Sequence, residues 1–416
     1  MSSCDCDHHA AGPKLKPIEE ALEFLLQRAK PISDIESVPT GEALGRVLAA
    51  PVVSQVTVPP WNNSAMDGYA VRVADLDGER PRLPVSQRIP AGACGSELEP
   101  GTAARIFTGA PVPPGADAVV IQEVCEVDGE DVIITECPKP GANIRLAGED
   151  IEQGAEVVAA GTRLAPQHLG LAASVGVAEL QVYRRLKVAV FSSGDELVMP
   201  GGELGPGQIY NSNQFTLGGL LQALGCEVVQ LGIVEDTFDA TCEALSRGAE
   251  MADLVVASGG VSVGEEDHVK PAVEKLGSLD LWKIAIRPGK PLAFGHIGET
   301  PFIGTPGNPV SLFVTFCVFA RPYILRSQGV AGDLQPKEVS AAAAFDWKKA
   351  EKRREYARAR LVSGAAGELQ VELYPSRSSG VLSSVAWADG LVVIPEGRTF
   401  SRGEPVRFIP YTELMS

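Results

Sequence analysis

The chain has 416 residues and carries 36 Lys and Arg against 53 Asp and Glu, a formal charge of −17. That length holds roughly two to four ordinary domains, and the acidic balance excludes a general nucleic-acid binder, which needs a basic face to neutralise phosphates. With 45% hydrophobic residues, 44 glycines and 31 prolines, the composition excludes disorder and collagen and favours turns over long helical bundles.

The first residues, "MSSCDCDHHAAGPKLKP", hold no apolar segment of the kind a secretory signal requires. Eight cysteines are too sparse for a disulfide scaffold, so a reducing cytoplasm is the expected compartment. Residues 1–12 read as a disordered tail. Cys4, Cys6, His8 and His9 within it carry soft-metal ligand chemistry, but adventitious binding by a dispensable terminus is the simpler reading. The longest apolar run, Val310 to Ala320, is too short to cross a bilayer. No membrane partner is expected.

Pro17 to Lys30 places Ile18, Ala21, Leu22, Leu25 and Leu26 at helical spacing. Residues 40–48 read as a second short helix. From Val52 to about Ala160 the texture is β-rich, with "YAVRV", "AARIFTG", "DAVVIQEVCEV" and "DVIITEC" broken by Gly and Pro. Helical spacing returns at 166–176. The reading is therefore a discontinuous domain, 13–55 with 145–182, around a small β-rich domain at 56–144.

Beyond residue 183 strands and helices alternate: "LKVAVFSSG", then a helix with Asn213 as its N-cap, "CEVVQLGIV", then a helix opened by Asp236. "DLVVASGG", "DHVKPAVEKLG", "LDLWKIAI", "PLAFGHI" and "PFIGT" follow, and an apolar helix runs from Pro309 to about Arg326. Such alternation predicts a doubly wound, mainly parallel α/β domain over 183–330. A linker and short alternating strands then predict a β-barrel at 337–416. The fold class is multidomain α/β.

Ligands of such sheets sit outside the carboxyl ends of the strands, so the loops there are the candidates. "SSGDEL" supplies Ser193 and Gly194 for an anion, and Asp195 and Glu196 for a cation or for a helix start. Asp236 is either a metal ligand or a cap. "SGGVSVGEED" offers Ser258, Gly259, Gly260, Ser262 and Gly264 as a phosphate cradle, with Asp267 suited to a bridging Mg²⁺. Lys283 and Arg287 concentrate positive charge. "GTPGNPVS" leads through Pro306, Gly307, Asn308 and Pro309 into a helix N-terminus, where Ser311 adds a hydroxyl. Together these loops predict a site for a phosphorylated ligand with a divalent cation. The sequence has no Walker A motif, no GxGxxG and no Ser–His–Asp arrangement.

"SAMDGYA" (64–70), "PPGADAVV" (113–120), "RLAGED" (145–150), "FSSGDEL", "IYNSN", "SGGVSVGEED", "RPGKP" and "GTPGNPVS" resemble the molybdopterin molybdenumtransferases, the family of bacterial MoeA and the gephyrin E domain. The resemblance runs in order from about Leu15 to the C-terminus. It implies an L-shaped, four-domain subunit that dimerises, and a reaction: adenylylated molybdopterin and molybdate give molybdenum cofactor and AMP, with Mg²⁺. By resemblance the catalytic set is Asp67, Thr108, Asp150, Glu196, Asp236 and Asp267, with Glu196, Asp236 and Asp267 at the metal and Asp67 entering from the partner subunit. Ser383 matches a residue near the site. Arg287 stands where the family often has Lys, which keeps the charge but alters donor geometry; Ser193 and Asn211 replace Thr and Asp. The resemblance also implies a molybdopterin adenylyltransferase and apo-molybdoenzymes as partners. Two other readings are an adenylyltransferase, whose whole body resembles 183–330, and a non-catalytic assembly scaffold.

Overall fold

The computed structural model describes residues 15–260, 268–289, 291–364 and 367–415. Ser262, Gly264 and Asp267, and the Cys/His tail with them, lie outside the described residues. The chain divides into two compact units, one comprising Met1–Glu36, Gly45–Val47 and Tyr183–Ser416, the other Ser37–Leu44 and Leu48–Val182.

In the first unit, helix α1 (Ile18–Arg28) buries Ile18, Ala21, Leu22 and Leu25 on one face. The α/β region contributes β1 (Lys187–Ser193), α2 (Asn213–Ala223), β2 (Glu227–Val234), α3 (Phe238–Met251), β3 (Leu254–Ser258) and α4 (Val269–Leu276). These are followed by β4 (Gly277–Lys283), β5 (Pro291–Ile297), β6 (Thr300–Thr305) and the continuous helix α5 (Pro309–Ser327). The sheet order is β2-β1-β3-β6-β5-β4. The first four strands are parallel and the last two run in antiparallel pairs. Both faces are covered, which is why the strands read as unbroken apolar runs. Val188 and Val190 of β1 join one core cluster, while Ala189 and Phe191 join the other. Helix α5 is long and apolar enough to span a bilayer, but 89% of its apolar window is buried inside the protein. It is a core helix.

The barrel is closed. Strands β7 (Val339–Ala343), β8 (Arg354–Ser363), β9 (Leu369–Leu373), β10 (Gly390–Ile394) and β11 (Pro405–Pro410) run β8-β9-β7-β11-β10, and β10 pairs back to β8. Its interior holds Trp347, Val371, Val392, Phe400 and Phe408.

The second unit contains a six-stranded sheet in the order 118–121, 68–71, 103–106, 82–89, 131–134, 125–128. Only 82–89 with 103–106 is a parallel pair. The helix over Pro166–Ser174 forms as the spacing predicts. The expected helix at 40–48 does not. Only a 3₁₀ turn at Thr40–Glu42 appears, because Gly45 adopts φ +73° and Leu48 extends to pair with Val182.

Candidate functional site

Because β2, β1, β3 and β6 are parallel neighbours, the loops that follow them meet at one edge. Ser193 Oγ, at the end of β1, donates to Asp236 Oδ1 at 2.9 Å, and the Asp236 N–H donates to Asp195 Oδ1 at 3.2 Å. No helix starts directly after β1; Leu197–Val198 pairs with Ile209–Tyr210 instead. Asp195 therefore caps nothing, and the expected helix start there is corrected. Glu196 folds back over the turn, since a Cβ on Gly194 would lie 2.5 Å from Glu196 Oε2.

Asp236 is not the cap of α3 either. Thr237 is, with its Oγ1 accepting from the Ala240 N–H at 3.3 Å. The side chain of Asp236 is left facing the loop after β1, which removes its structural alternative.

Asn213 is likewise not a cap. Asn211 Oδ1 takes that role, accepting from the Gln214 N–H at 3.2 Å and from Ser192 Oγ at 3.3 Å. Asn213 Nδ2 instead donates to Ser258 Oγ at 3.0 Å and to the Gly307 carbonyl at 2.7 Å, so one amide ties the loops after β3 and β6. Its Oδ1 is buried with no protein partner. Sequence reasoning missed this role. The signal was "NSN", where only one of two asparagines can cap.

Gly259 has φ +87°, and a Cβ there would lie 2.6 Å from the Ser193 carbonyl. Only glycine lets β3 end so close to β1. Its N–H donates to the Thr305 carbonyl at 3.2 Å, and Gly260 follows with φ +64°. Across from them, Pro306 is buried while Gly307 and Asn308 are exposed. Pro309 occupies the first turn of α5 after Asn308. Ser311 is 4% exposed inside the core, so its expected part in anion binding is corrected.

The barrel reaches the same helix start: the Val310 N–H donates to the Ser379 carbonyl at 3.0 Å. Buried Arg358 fixes that loop through Ser384 Oγ at 3.0 Å and the carbonyls of Ser376 and Ser378 at 2.7 and 3.1 Å. Ser383 lies exposed in it, 3.5 Å from Tyr374 Oη. Lys283, half-buried at the end of β4, has no ion-pair partner among the described residues. Arg287 differs. Its Nη1 meets Glu351 at 3.4 Å and its Nε meets Glu355 at 3.7 Å, and Arg377 shares both carboxylates. Of the two cations, Lys283 is the one left for a ligand.

Asp67, Thr108 and Asp150 belong to the second unit. Asp67 Oδ1 accepts from the Thr108 N–H and from Thr108 Oγ1, both at 2.8 Å. These two donors, aided by the Arg105 charge, hold the carboxyl below its ordinary range. Asp67 thus stays ionised further into acid than a free aspartate, and the preference for the folded state that this supplies fades as pH drops through the lowered value. Thr108→Val removes the hydroxyl donor but keeps the N–H. The Asp67 titration midpoint, followed by NMR, should move part of the way back up; an unchanged midpoint would show that the hydroxyl contributes nothing. Asp150 is exposed, and its N–H donates to the Val58 carbonyl at 3.1 Å. Near Asp67, Trp61 and Met66 are 51% and 47% exposed. Among the described residues no three metal-ligating side chains cluster together.

A wound sheet whose strand-end loops present carboxylates, glycines and a lysine without an ion-pair partner among the described residues, in a chain that also holds a closed barrel and a β-rich unit, is a multidomain α/β architecture. Residues 16–176 match the MoeA N-terminal region (domain I and II), 189–326 a probable molybdopterin binding domain, and 340–411 the MoeA C-terminal region (domain IV). The chain is 40% identical over 401 residues to the molybdopterin molybdenumtransferase of Haemophilus influenzae, covering 96% of this chain and 99% of that one. It is 38% identical to the enzyme of the same name from a Nostoc species, covering 95% and 93%. A solved MoeA protein from Pyrococcus horikoshii superposes with a TM-score of 0.82 at 30% identity, covering 96% of this chain and all of that one. The chain belongs to the molybdopterin molybdenumtransferase family, whose members are transferases.

Proposed function

We propose that this protein inserts molybdate into adenylylated molybdopterin and releases AMP. The observation that carries the reading is the convergence of the loops after β1, β2, β3 and β6, on a chain that matches that family along almost its whole length. The backbone of Gly260 and Gly307 cradles the phosphates, where bulk would exclude them, while Gly259 sets the turn with its own N–H spent on the Thr305 carbonyl. Asn213 holds Ser258 and the Gly307 loop in place for that task. Lys283 receives the oxyanion, with Ser383 at the barrel end of the site.

Asp236, whose N–H is held by Asp195, suits Mg²⁺, which is commonly held by one or two carboxylates together with substrate phosphates; Glu196 and Asp267 are proposed as further ligands. When bound, Mg²⁺ neutralises charge on the pyrophosphate. Ser193 Oγ keeps the Asp236 carboxylate oriented by donating to it. The cytoplasm is the proposed compartment, with a molybdopterin adenylyltransferase and apo-molybdoenzymes as partners upstream and downstream. The direct test supplies adenylylated molybdopterin, molybdate and Mg²⁺ and measures AMP. Consumption of ATP instead identifies an adenylyltransferase; neither outcome leaves the scaffold.

The working form is proposed to be a homodimer with Asp67 and Thr108 of one protomer serving the sheet edge of the other. The exposed apolar surface of Trp61 and Met66 supports this reading, being more than a solvated loop carries. Asp67→Ala and Asp236→Ala homodimers should each be inactive. Mixed dimers should recover up to about half of wild-type AMP release, because two-fold symmetry leaves one composite site intact. No recovery after verified subunit exchange would place both aspartates in one chain's site.

A further inference from the structure

The second unit puts two arginines where sheet chemistry disfavours them. Arg88 and Arg105 are paired in register on neighbouring strands, and like charges side by side on one face destabilise a sheet. Neither guanidinium has an ion-pair partner among the described residues, whereas Arg72 and Arg80 of the same unit each have one and Arg82 has two. Both instead lie against Phe107, 4.6 and 4.7 Å from its ring centroid, and Arg105 also lies 5.0 Å from that of Tyr69.

Arg105 is further braced. Its Nη1 donates to the Gly68 carbonyl at 3.1 Å and its Nη2 to Gln122 Oε1 at 2.6 Å. Gly68 follows Asp67 in sequence and the Arg105 charge reaches the Asp67 carboxyl, so Arg105 stands beside the Asp67–Thr108 couple with Arg88 paired next to it. Thr108 occupies Asp67 Oδ1 with both of its donors, and the Arg105 charge acts on that carboxyl without an ion-pair contact. In a chain of net charge −17, two guanidiniums paired in register with no ion pair among the described residues depart from the local rule for sheets, and such places are where function is expected.

We propose that Arg88 and Arg105, stacked on Phe107, form a second receptor for the pyrophosphate group of the substrate, offered with Asp67 and Thr108 to the partner protomer's sheet edge; this assignment of the ligand rests on the molybdenumtransferase and homodimer readings above. The planar forks suit phosphate oxygens bidentately, and stacking on Phe107 sets their direction before the ligand arrives.

The test uses the full-length protein, with inorganic pyrophosphate as the probe in titration calorimetry and AMP release as the second readout. Arg88→Gln is the informative variant, because Arg105 also braces Gly68 and Gln122. It should weaken pyrophosphate binding about tenfold and raise KM for adenylylated molybdopterin by a similar factor, the size expected for one charged hydrogen-bonding group. Arg88→Lys, which keeps the charge without the fork, should fall between. Wild-type pyrophosphate affinity in Arg88→Gln would overturn the receptor, whatever happens to AMP release. Weakened binding in a protein whose wild type releases no AMP would uphold the receptor and overturn the reaction instead.

Discussion

Asp236→Asn is expected to slow AMP release by about 10²–10³-fold, the range for deleting one group directed at the reacting charge, while changing stability by less than about 0.5 kcal/mol. The separation follows from the geometry. A cap is lost only when the residue that accepts from the helix N–H groups is changed, and that residue is Thr237. An asparagine at 236 can still accept from Ser193 Oγ, so the local bond survives and the negative charge alone is removed. Thr237→Ala is the complementary control, costing about 1 kcal/mol of stability with AMP release retained. Chromatographic AMP assays paired with denaturant midpoints read both effects. An Asp236→Asn enzyme releasing AMP at the wild-type rate would remove this carboxylate from the reaction.

Arg358→Ala should destabilise the protein by about 3 kcal/mol, the scale for breaking a buried, hydrogen-bonded charge. Arg358 is 2% exposed, and its guanidinium serves three acceptors in the 376–384 loop. Burial pulls its pKa below the ordinary value, against the opposing pull of Glu355. Truncation strands the carbonyls of Ser376 and Ser378 and leaves Glu355, 1% exposed, with one fewer nearby cation. Arg358→Lys keeps the charge but cannot reach three acceptors with a fork, so it should recover only part of the loss. Urea unfolding measures both. A loss under about 0.5 kcal/mol for the alanine variant would mean that the loop is held by something else.

The wound sheet was legible because strands buried on both faces read as apolar runs and their helices as 3.6-residue periods; β1 with α2, and β3, stand where the pattern puts them. Local competition blurred the rest. Residues 40–48 have apolar residues at helical spacing, but Gly45 breaks the helix and tertiary pairing claims Leu48. The strand at Arg82–Ile89 hid behind Pro84, although Leu83, Val85 and Ile89 keep a period of two. At the site, the resemblance located the loops and strand order brought them to one edge. The division of labour between neighbours was not readable. Asp236 against Thr237, and Asn213 against Asn211, are choices between nearby polar side chains that can all cap, decided by which one the turn points inward.

The interleaving of the two units also sets an order of assembly on the ribosome. The segment Leu48–Val182 is wholly inside the second unit, so that unit is fully synthesised before most of the first exists. Helix α1 buries its apolar face with Phe294, Phe316 and Tyr323, all of which emerge much later. At about 5–20 residues per second of synthesis, that face waits on the order of tens of seconds for its partners. The inserted unit is free to fold during the wait, which makes this chain one that closes from the middle outward.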